Sequence, residues 1–359
     1  MLTIPSPSQA KMRLPGLDYL RGLAALGIMT YHYCSWTFGE QPANSFLGRV
    51  GIYGVAIFYI LSGQTLSYIY SSSLHLKIID LREFYKRRFF RIFPLLWLAT
   101  LLSIALSKHV PAATDVFLNL TGLFGLVKWD VYFATGAWSI GNELCFYLAF
   151  PLLVFLLNKS RIVFFLFALL ALVITCYFSF VALKTNATLS DQWHIYTNPL
   201  NQFVLFLGGV LMGKFIQSSA VRLVQSALIG AIGFAIFLLL PIQGAAIVLV
   251  TGFNRLFFIV SCLLLCYSFF SSVHASVFID KPLLLLGQIS YSVYLLHPLV
   301  YAIIKACFSL IARVIPVPNI YTLLTSIIVS LVASYLSYTY FERFFIGISH
   351  NSKSSGFVG

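Results

Sequence analysis

About ten apolar stretches, each of roughly 20 residues, dominate this sequence. They lie at residues 17–35, 50–71, 93–107, 138–157, 161–183, 199–216, 223–240, 255–272, 288–310 and 319–341. A stretch of this length is what an α-helix needs to cross the hydrocarbon core of a bilayer. The mean hydropathy of +0.91 and the charged fraction of 9% exclude a water-soluble domain of this size. The sequence therefore predicts an all-α polytopic membrane protein with about ten transmembrane helices.

The distribution of lysine and arginine predicts the orientation. Most of the 23 basic residues fall in the connections that become cytoplasmic when both termini are placed in the cytoplasm. The formal net charge of +13 then reflects topology and attraction to anionic lipid. The lipid bilayer is accordingly the expected partner, and nothing in the charge pattern indicates nucleic-acid binding.

One membrane domain accounts for nearly the whole chain. We predict a cytoplasmic N-terminal tail at 1–16, a single transmembrane domain at 17–343 and a short polar cytoplasmic tail at 344–359. The polar, proline-containing first residues do not resemble a cleavable signal peptide, so the first span is expected to remain as an anchor. The six cysteines all lie in apolar segments without metal-ligand spacing, which predicts neither a disulfide nor a metal site.

The first apolar stretch carries three ionisable residues, Asp18, Arg21 and His32. Arg21 and His32 are eleven residues apart, close to three helical turns, so they share one helix face about 16 Å apart. Asp18 is spaced to pair with Arg21. Ionisable residues inside a membrane are costly and usually functional. The alternatives are that Arg21 snorkels to the interface and that His32 makes a packing hydrogen bond.

A second group of charges precedes the third apolar stretch in the segment EFYKRRFFRIFP. Arg88 and Arg91 are spaced i, i+3, and Arg87 and Arg91 are spaced i, i+4, so all three share one side of a helix. Guanidinium groups in this arrangement suit phosphate oxygens. The positive-inside rule alone would also place basic residues here.

The fourth and ninth stretches carry polar groups as well. Glu143 lies in WSIGNELCFY beside Trp138 and Asn142, at an expected depth close to that of His32, where a carboxylate would orient the imidazole. The alternative is a protonated carboxyl that hydrogen-bonds Asn142 or Trp138.

In the ninth stretch, a polar stripe is predicted to face the bundle interior, unless His297-Pro298 only kinks the helix. The stripe consists of Ser290, Tyr291, Tyr294 and His297.

These motifs together resemble acyltransferase family 3, integral membrane enzymes that modify sugars and related acceptors. The resemblance extends from Leu17 to about Arg343. It rests on LDYLRGLAAL, the arginine-ten residues-histidine spacing of the first stretch, the Arg-x-x-Arg before IFP, WSIGNELCFY and SYSVYLLHP. Asn142 stands where the family often has a first acidic residue.

The resemblance implies an O-acyltransferase with acyl-coenzyme A, most often acetyl-coenzyme A, as cytoplasmic co-substrate and with no permanently bound cofactor. It implies His32 as catalytic base, with Glu143 and Arg21 also catalytic. Arg88 and Arg91, with Arg87 and Arg21, would bind the donor. Asp18, Trp138, Asn142, Tyr291, Tyr294 and His297 would bind substrate or support the site.

A glycan or glycolipid is the expected acceptor and a bacterial inner membrane the expected location. Some relatives carry a further hydrolase-like domain after the membrane part, and the short C-terminal tail predicts none here. Two alternatives remain: a multi-pass transporter or flippase for a glycolipid, and a relay protein that hands the acyl group to a second enzyme.

Overall fold

The computed structural model describes residues 14–74, 76–107, 110–215, 223–270 and 275–350. Within these ranges the chain is helical and contains no strand. Its α-helices are α1 (Pro15–Phe38), α2 (Phe46–Tyr70), α3 (Ile78–Leu106), α4 (Ala113–Thr121), α5 (Phe124–Val127), α6 (Ala137–Lys159), α7 (Arg161–Tyr177), α8 (Trp193–Tyr196), α9 (Pro199–Phe215), α10 (Leu223–Leu239), α11 (Gly252–Ser268), α12 (Val277–Gln288), α13 (Ser290–Ile311), α14 (Asn319–Leu336) and α15 (Arg343–His350).

Each of the ten predicted stretches coincides with a helix, namely α1, α2, α3, α6, α7, α9, α10, α11, α13 and α14. Six helices of the described chain are long and apolar enough to cross a membrane, and two shorter apolar helices, Val224–Leu239 and Gly252–Ser268, accompany them. The all-helical class is thus confirmed, whereas the number of spans and the orientation stay predictions. Most of residues 1–16 and residues 351–359 of the predicted tails lie outside the described residues.

Five further helices of the described chain were not predicted from the sequence. The short helices α4, α5 and α8 lie in connections predicted only as loops, and α12 packs against α1 directly before α13. Residues 343–350, assigned to the end of the domain and to the tail, form α15, which packs against α3.

Helix α2 lies at the centre of the bundle and packs closely against α9. Gly63 of α2 faces the Phe206 carbonyl, and Gly209 and Gly213 of α9 face backbone of α2. A Cβ at any of these positions would collide with that backbone, so glycine is what allows the close approach. In contrast, α7 exposes most of its apolar surface, as a helix at the lipid boundary does.

Helix α1 lies between α2, α12 and α13, and this position holds its polar residues inside the protein. Pro15 is compatible with the first turn because that turn has unpaired amide groups, and Asp18 in the same turn interacts favourably with the helix dipole. Gly22 packs against the backbone of α12 at Leu286 and Gly287. As a result, Arg21 and His32 face α2 and α13 rather than lipid.

Candidate active site

A cavity of about 100 Å³ lies at the centre of the bundle, between α1, α2, α3, α6 and α13. We call it the central cavity. Its charged lining residues are Arg21, Arg88, Arg91 and Glu143. The other lining residues include Phe58, Tyr59, Ser62, Thr65, Ser139, Tyr147, Ser290, Tyr291 and Tyr294.

A larger cavity of about 400 Å³, the terminal cavity, lies beside the central cavity at the N-terminal end of α1. Four residues line both cavities: Arg21, Thr65, Arg91 and Tyr291. The two spaces therefore adjoin, and the arginines lie where they meet. A phosphate or other anion at this junction would contact Arg21 and Arg91.

Arg21 lies on α1, Arg88 and Arg91 lie on α3, and the three side chains line one cavity. Arg21 makes the predicted ion pair with Asp18, with Nη1 3.4 Å from the carboxylate oxygen, and its Nη2 lies 3.5 Å from the hydroxyl of Thr65. The Arg88 guanidinium lies over the Tyr147 ring, 5.9 Å from its centroid. Arg87, predicted with them, lines neither cavity, because its neighbour Arg88 occupies the inward face of α3.

Glu143 lies with the arginines and not with His32. Its carboxylate accepts hydrogen bonds from the hydroxyls of Ser62 and Tyr147. The prediction that Glu143 lies level with His32 and orients its imidazole is therefore wrong. The alternative partners, Asn142 and Trp138, do not make these bonds either.

The physical reason is the depth at which α6 begins. The carbonyl of Gly136, just before α6, accepts a hydrogen bond from Tyr294, which lies about one turn before His297 on α13. Glu143 follows Gly136 by seven residues, about 10 Å farther along α6 and away from the histidines. The segment before α6 packs inside the bundle against Tyr294, so the Glu143 carboxylate reaches the level of the arginines.

His32 instead contacts His297. The Nδ1 of His32 lies 2.8 Å from the Nε2 of His297, and the Nδ1 of His297 lies 2.9 Å from the Val293 carbonyl. The His32 ring stacks between His297 and Trp36, with centroids 5.1 Å and 5.0 Å away. Tyr33 donates to the His297 carbonyl at 2.8 Å. The pair is thus held rigidly between α1 and α13, with His297 only 1% exposed.

Neither His32 nor His297 lines the central cavity. Phe58, Ser139 and Tyr294 are among its lining residues. The Tyr294 hydroxyl lies 2.7 Å from Ser139 Oγ and donates to the Gly136 carbonyl at 3.0 Å, and the ring centroids of Tyr294 and His297 are 6.2 Å apart. Tyr294 therefore stands between the arginine end and the histidine pair.

The other predicted site residues have mainly structural contacts. Trp138 packs against Trp193 and Tyr196, and the buried Asn142 donates to the Thr197 carbonyl at 3.0 Å and to Tyr59. Tyr291 lines both cavities, and its hydroxyl donates to the Ile92 carbonyl of α3 at 2.8 Å. Helix α13 continues through Pro298, so this proline does not end the helix.

Four further polar residues belong to the site and were missed from the sequence. Ser62 and Tyr147 bind Glu143, and Ser292 donates to Glu342, which lines the terminal cavity. Glu342 lies close to the end of the last predicted apolar stretch and is only 5% exposed. A carboxylate near the end of an apolar span was a signal that could have identified it. Serine and tyrosine are too common in such helices to be singled out.

Among the described residues, no three His, Cys, Asp or Glu side chains form a group that could hold a metal.

Comparison with known proteins identifies the family. The sequence matches the family model of an acyltransferase domain over residues 14–339, nearly the whole chain. This span contains Arg21, Arg87, Arg88, Arg91, His32, His297 and Glu143.

Curated relatives agree with this match. The chain is 26% identical to the O-acetyltransferase OatA of Staphylococcus aureus over 370 residues, which cover 92% of this chain and 56% of OatA. It is 26% identical to the acyltransferase MdmB of Streptomyces mycarofaciens over 258 residues, or 64% of this chain and 65% of MdmB. It is also 31% identical to protein 2 of the picA locus of Rhizobium radiobacter over 151 residues, 36% of this chain and 75% of that protein. This chain thus spans little more than half of OatA. No solved structure matches it.

Proposed function

This chain belongs to the acyltransferase family, and from this premise we propose that it transfers an acyl group from acyl-coenzyme A to a hydroxyl of a glycan or glycolipid. An acetyl group is the first choice, in view of the O-acetyltransferase relative. The proposed location is a bacterial inner membrane, with the donor on the cytoplasmic side. The observation that carries the proposal is the arrangement of three arginines in one cavity and a paired histidine three turns farther along α1.

The arginines are proposed to bind the donor. Arg21, Arg88 and Arg91 face one cavity, and Arg21 and Arg91 also face the adjoining terminal cavity. Guanidinium groups bind phosphate oxygens through paired, charge-assisted hydrogen bonds, so this is where the phosphates of coenzyme A would be held. Glu143, fixed by Ser62 and Tyr147, faces the same space and partly balances its positive charge.

The spacing along α1 fits an extended donor. Arg21 and His32 are about 16 Å apart along the helix axis, close to the reach of a pantetheine arm. With the phosphates at the arginines, the thioester would extend toward His32. It would pass Phe58 and Tyr294, which line the central cavity. The proposal therefore requires Tyr294 to move when the donor binds.

The contacts of the histidine pair support His32 as the base. The Val293 carbonyl only accepts, so Nδ1 of a neutral His297 carries the proton and its Nε2 accepts a hydrogen bond. The Nδ1 of His32 is then the donor to that nitrogen. This tautomer leaves the Nε2 of His32 unprotonated, as a general base requires.

In the proposed reaction, Nε2 of His32 takes the proton of the acceptor hydroxyl as its oxygen attacks the thioester carbonyl. A carbon–oxygen bond forms and the carbon–sulfur bond breaks. The coenzyme A thiolate then leaves and receives the proton from His32. His297 is a positioning residue in this scheme, because it acts on the reaction only through His32.

The test is release of coenzyme A from acetyl-coenzyme A by purified protein in detergent, with a mixed glycan extract as acceptor. His32→Ala should reduce release by at least about 10²-fold, because general-base catalysis typically contributes 10² to 10⁴. His194→Ala is the matched control, since His194 is exposed and lines neither cavity.

Three results would contradict the proposal. Release that persists above about a tenth of the wild-type rate in His32→Ala would exclude His32 as the base. No release with any acyl donor would favour transport of a glycolipid, because a transporter does not consume a thioester. Acyl transfer to a co-purifying protein instead of a glycan would favour the relay function.

A further inference from the structure

A third cavity, which we call the lateral groove, lies between α3, α6 and the α4–α5 segment. Its volume is about 240 Å³. Its lining residues are Tyr85, Arg88, Phe89, Phe93, Thr121, Gly122, Leu123, Leu126, Leu144, Cys145, Tyr147 and Leu148. The proposed reaction uses only Arg88 and Tyr147 of this set, so the groove has no assigned function.

The groove is apolar and lies at the membrane-facing surface. Leu148 is 57% exposed, Leu126 is 50% exposed and Phe89 is 39% exposed, although all three line a concavity. In a protein of this class, exposed apolar surface of transmembrane helices contacts hydrocarbon chains. A concave apolar surface at that boundary suits a hydrocarbon chain.

Among the residues that the structure describes, Arg88 is the one charged residue that lines the groove. Its guanidinium has no ion-pair partner in the described part of the chain, and its Nε is buried without a hydrogen bond. A half-buried cation without an ion-pair partner favours an anionic ligand. Because a guanidinium carries five N–H groups, Arg88 can bind an anion in the groove and still face the central cavity.

The order of residues along α3 gives the ligand a direction. Arg88 lies in the basic part of α3, and Phe93 lies in its apolar part, about 8 Å farther along the helix. A headgroup phosphate at Arg88 therefore places a hydrocarbon chain along Phe93 and Leu126, toward the membrane centre. This is the orientation of a lipid in one leaflet.

We propose that the lateral groove binds one anionic phospholipid, with the phosphate on Arg88 and an acyl chain between α3, α5 and α6. The acyl chain of the donor does not fit this place, because its thioester is proposed to lie near His32, on the far side of Tyr294. That exclusion rests on the proposed function. The lipid site itself is tested by binding alone, so its failure is distinguishable from failure of the proposed reaction.

The experiment is native mass spectrometry of the purified full chain, after incubation in detergent with equal amounts of phosphatidylglycerol and phosphatidylcholine. The wild type should retain one phosphatidylglycerol, at least about fivefold in preference to phosphatidylcholine. Leu148→Trp, which fills the groove, and Arg88→Gln, which removes its charge, should each lose this preference.

Each variant has a matched control. Leu152→Trp places the same bulk on α6 at a position that is 53% exposed and lines no cavity described above. Arg82→Gln removes an exposed charge of α3 outside the groove. Both should retain phosphatidylglycerol like the wild type. Equal retention of both lipids by the wild type, or full retention in Leu148→Trp, would overturn the proposal.

Discussion

The Nδ1 of His32 lies 2.8 Å from the Nε2 of His297, although the two residues are 265 positions apart in the chain. This contact joins α1 to α13 and, through the Val293 carbonyl, fixes which nitrogen of each ring carries a proton. The catalytic hypothesis for His32 therefore depends on a residue that the sequence identified only as a supporting one.

Two substitutions of His297 should show whether it acts through its hydrogen bond to His32 or only through the packing of α1 against α13. His297→Leu removes the acceptor for the His32 N–H and should reduce kcat by about tenfold or more, with little change in the donor KM. His297→Gln offers a carbonyl oxygen in place of the imidazole nitrogen and should restore part of the activity. Steady-state kinetics of both variants test this.

Thermal unfolding of the two variants provides the control. If both lose equal activity and unfold at equally lower temperatures, His297 only supports the packing of α1 against α13. Partial rescue by His297→Gln at similar stability is the result expected of a positioning residue.

Arg88 and Arg91 are expected to affect donor binding rather than the chemical step. Hydrogen bonds to a charged group typically contribute about 1.5–3 kcal/mol, so Arg88→Gln and Arg91→Gln should each raise the KM for acyl-coenzyme A about ten- to a hundredfold. Arg87→Gln should have a smaller effect, since its side chain lines neither cavity. The measurement is donor KM beside kcat, with Arg82→Gln as control. An unchanged KM would mean that these arginines set the orientation in the membrane and do not bind the donor.

Glu143→Gln tests the observed position of Glu143 among the arginines, in place of the predicted position beside His32. A carboxylate among Arg21, Arg88 and Arg91 repels a donor phosphate, so its neutralisation should lower the Kd for coenzyme A by about two- to tenfold, given interactions on the order of 1 kcal/mol at this range. Isothermal titration with Glu40→Gln, an exposed carboxylate outside the cavities, provides the comparison. Weaker binding would show instead that Glu143 holds the arginines in position.

Arg49 is expected to matter for stability. Its buried guanidinium donates to the carbonyls of Phe237, Leu238 and Leu240 at 2.6–2.8 Å and to that of Ala43 at 3.1 Å. Three of these carbonyls lie at the C-terminal end of α10, where no amide of the helix can reach them. Arg49→Met should therefore lower the free energy of unfolding by about 2–4 kcal/mol.

The measurement for Arg49→Met is unfolding of the purified protein in mixed micelles, followed by circular dichroism. Arg82→Gln controls for the loss of one positive charge. Unfolding at the same denaturant concentration as the wild type would mean that lipid or water replaces the guanidinium at the end of α10.

Hydropathy alone predicted the all-helical class and placed ten helices correctly, because a segment in hydrocarbon must satisfy its backbone hydrogen bonds internally and so must be helical. The spacing of Asp18 and Arg21 likewise predicted an observed ion pair, since both lie on one helix and its geometry is fixed. Such relationships are local, and the sequence determines them.

Relationships between helices were decided by tertiary structure. The sequence contained His32, His297 and Glu143 but gave no information on which of them meet, because that depends on where each helix begins and how it packs. The segment before α6 folds into the bundle and brings Glu143 to the arginines, while close packing of α1 and α13 gives His32 a histidine as its partner. Helix periodicity fixes the face of a residue, and only packing fixes its depth and neighbours.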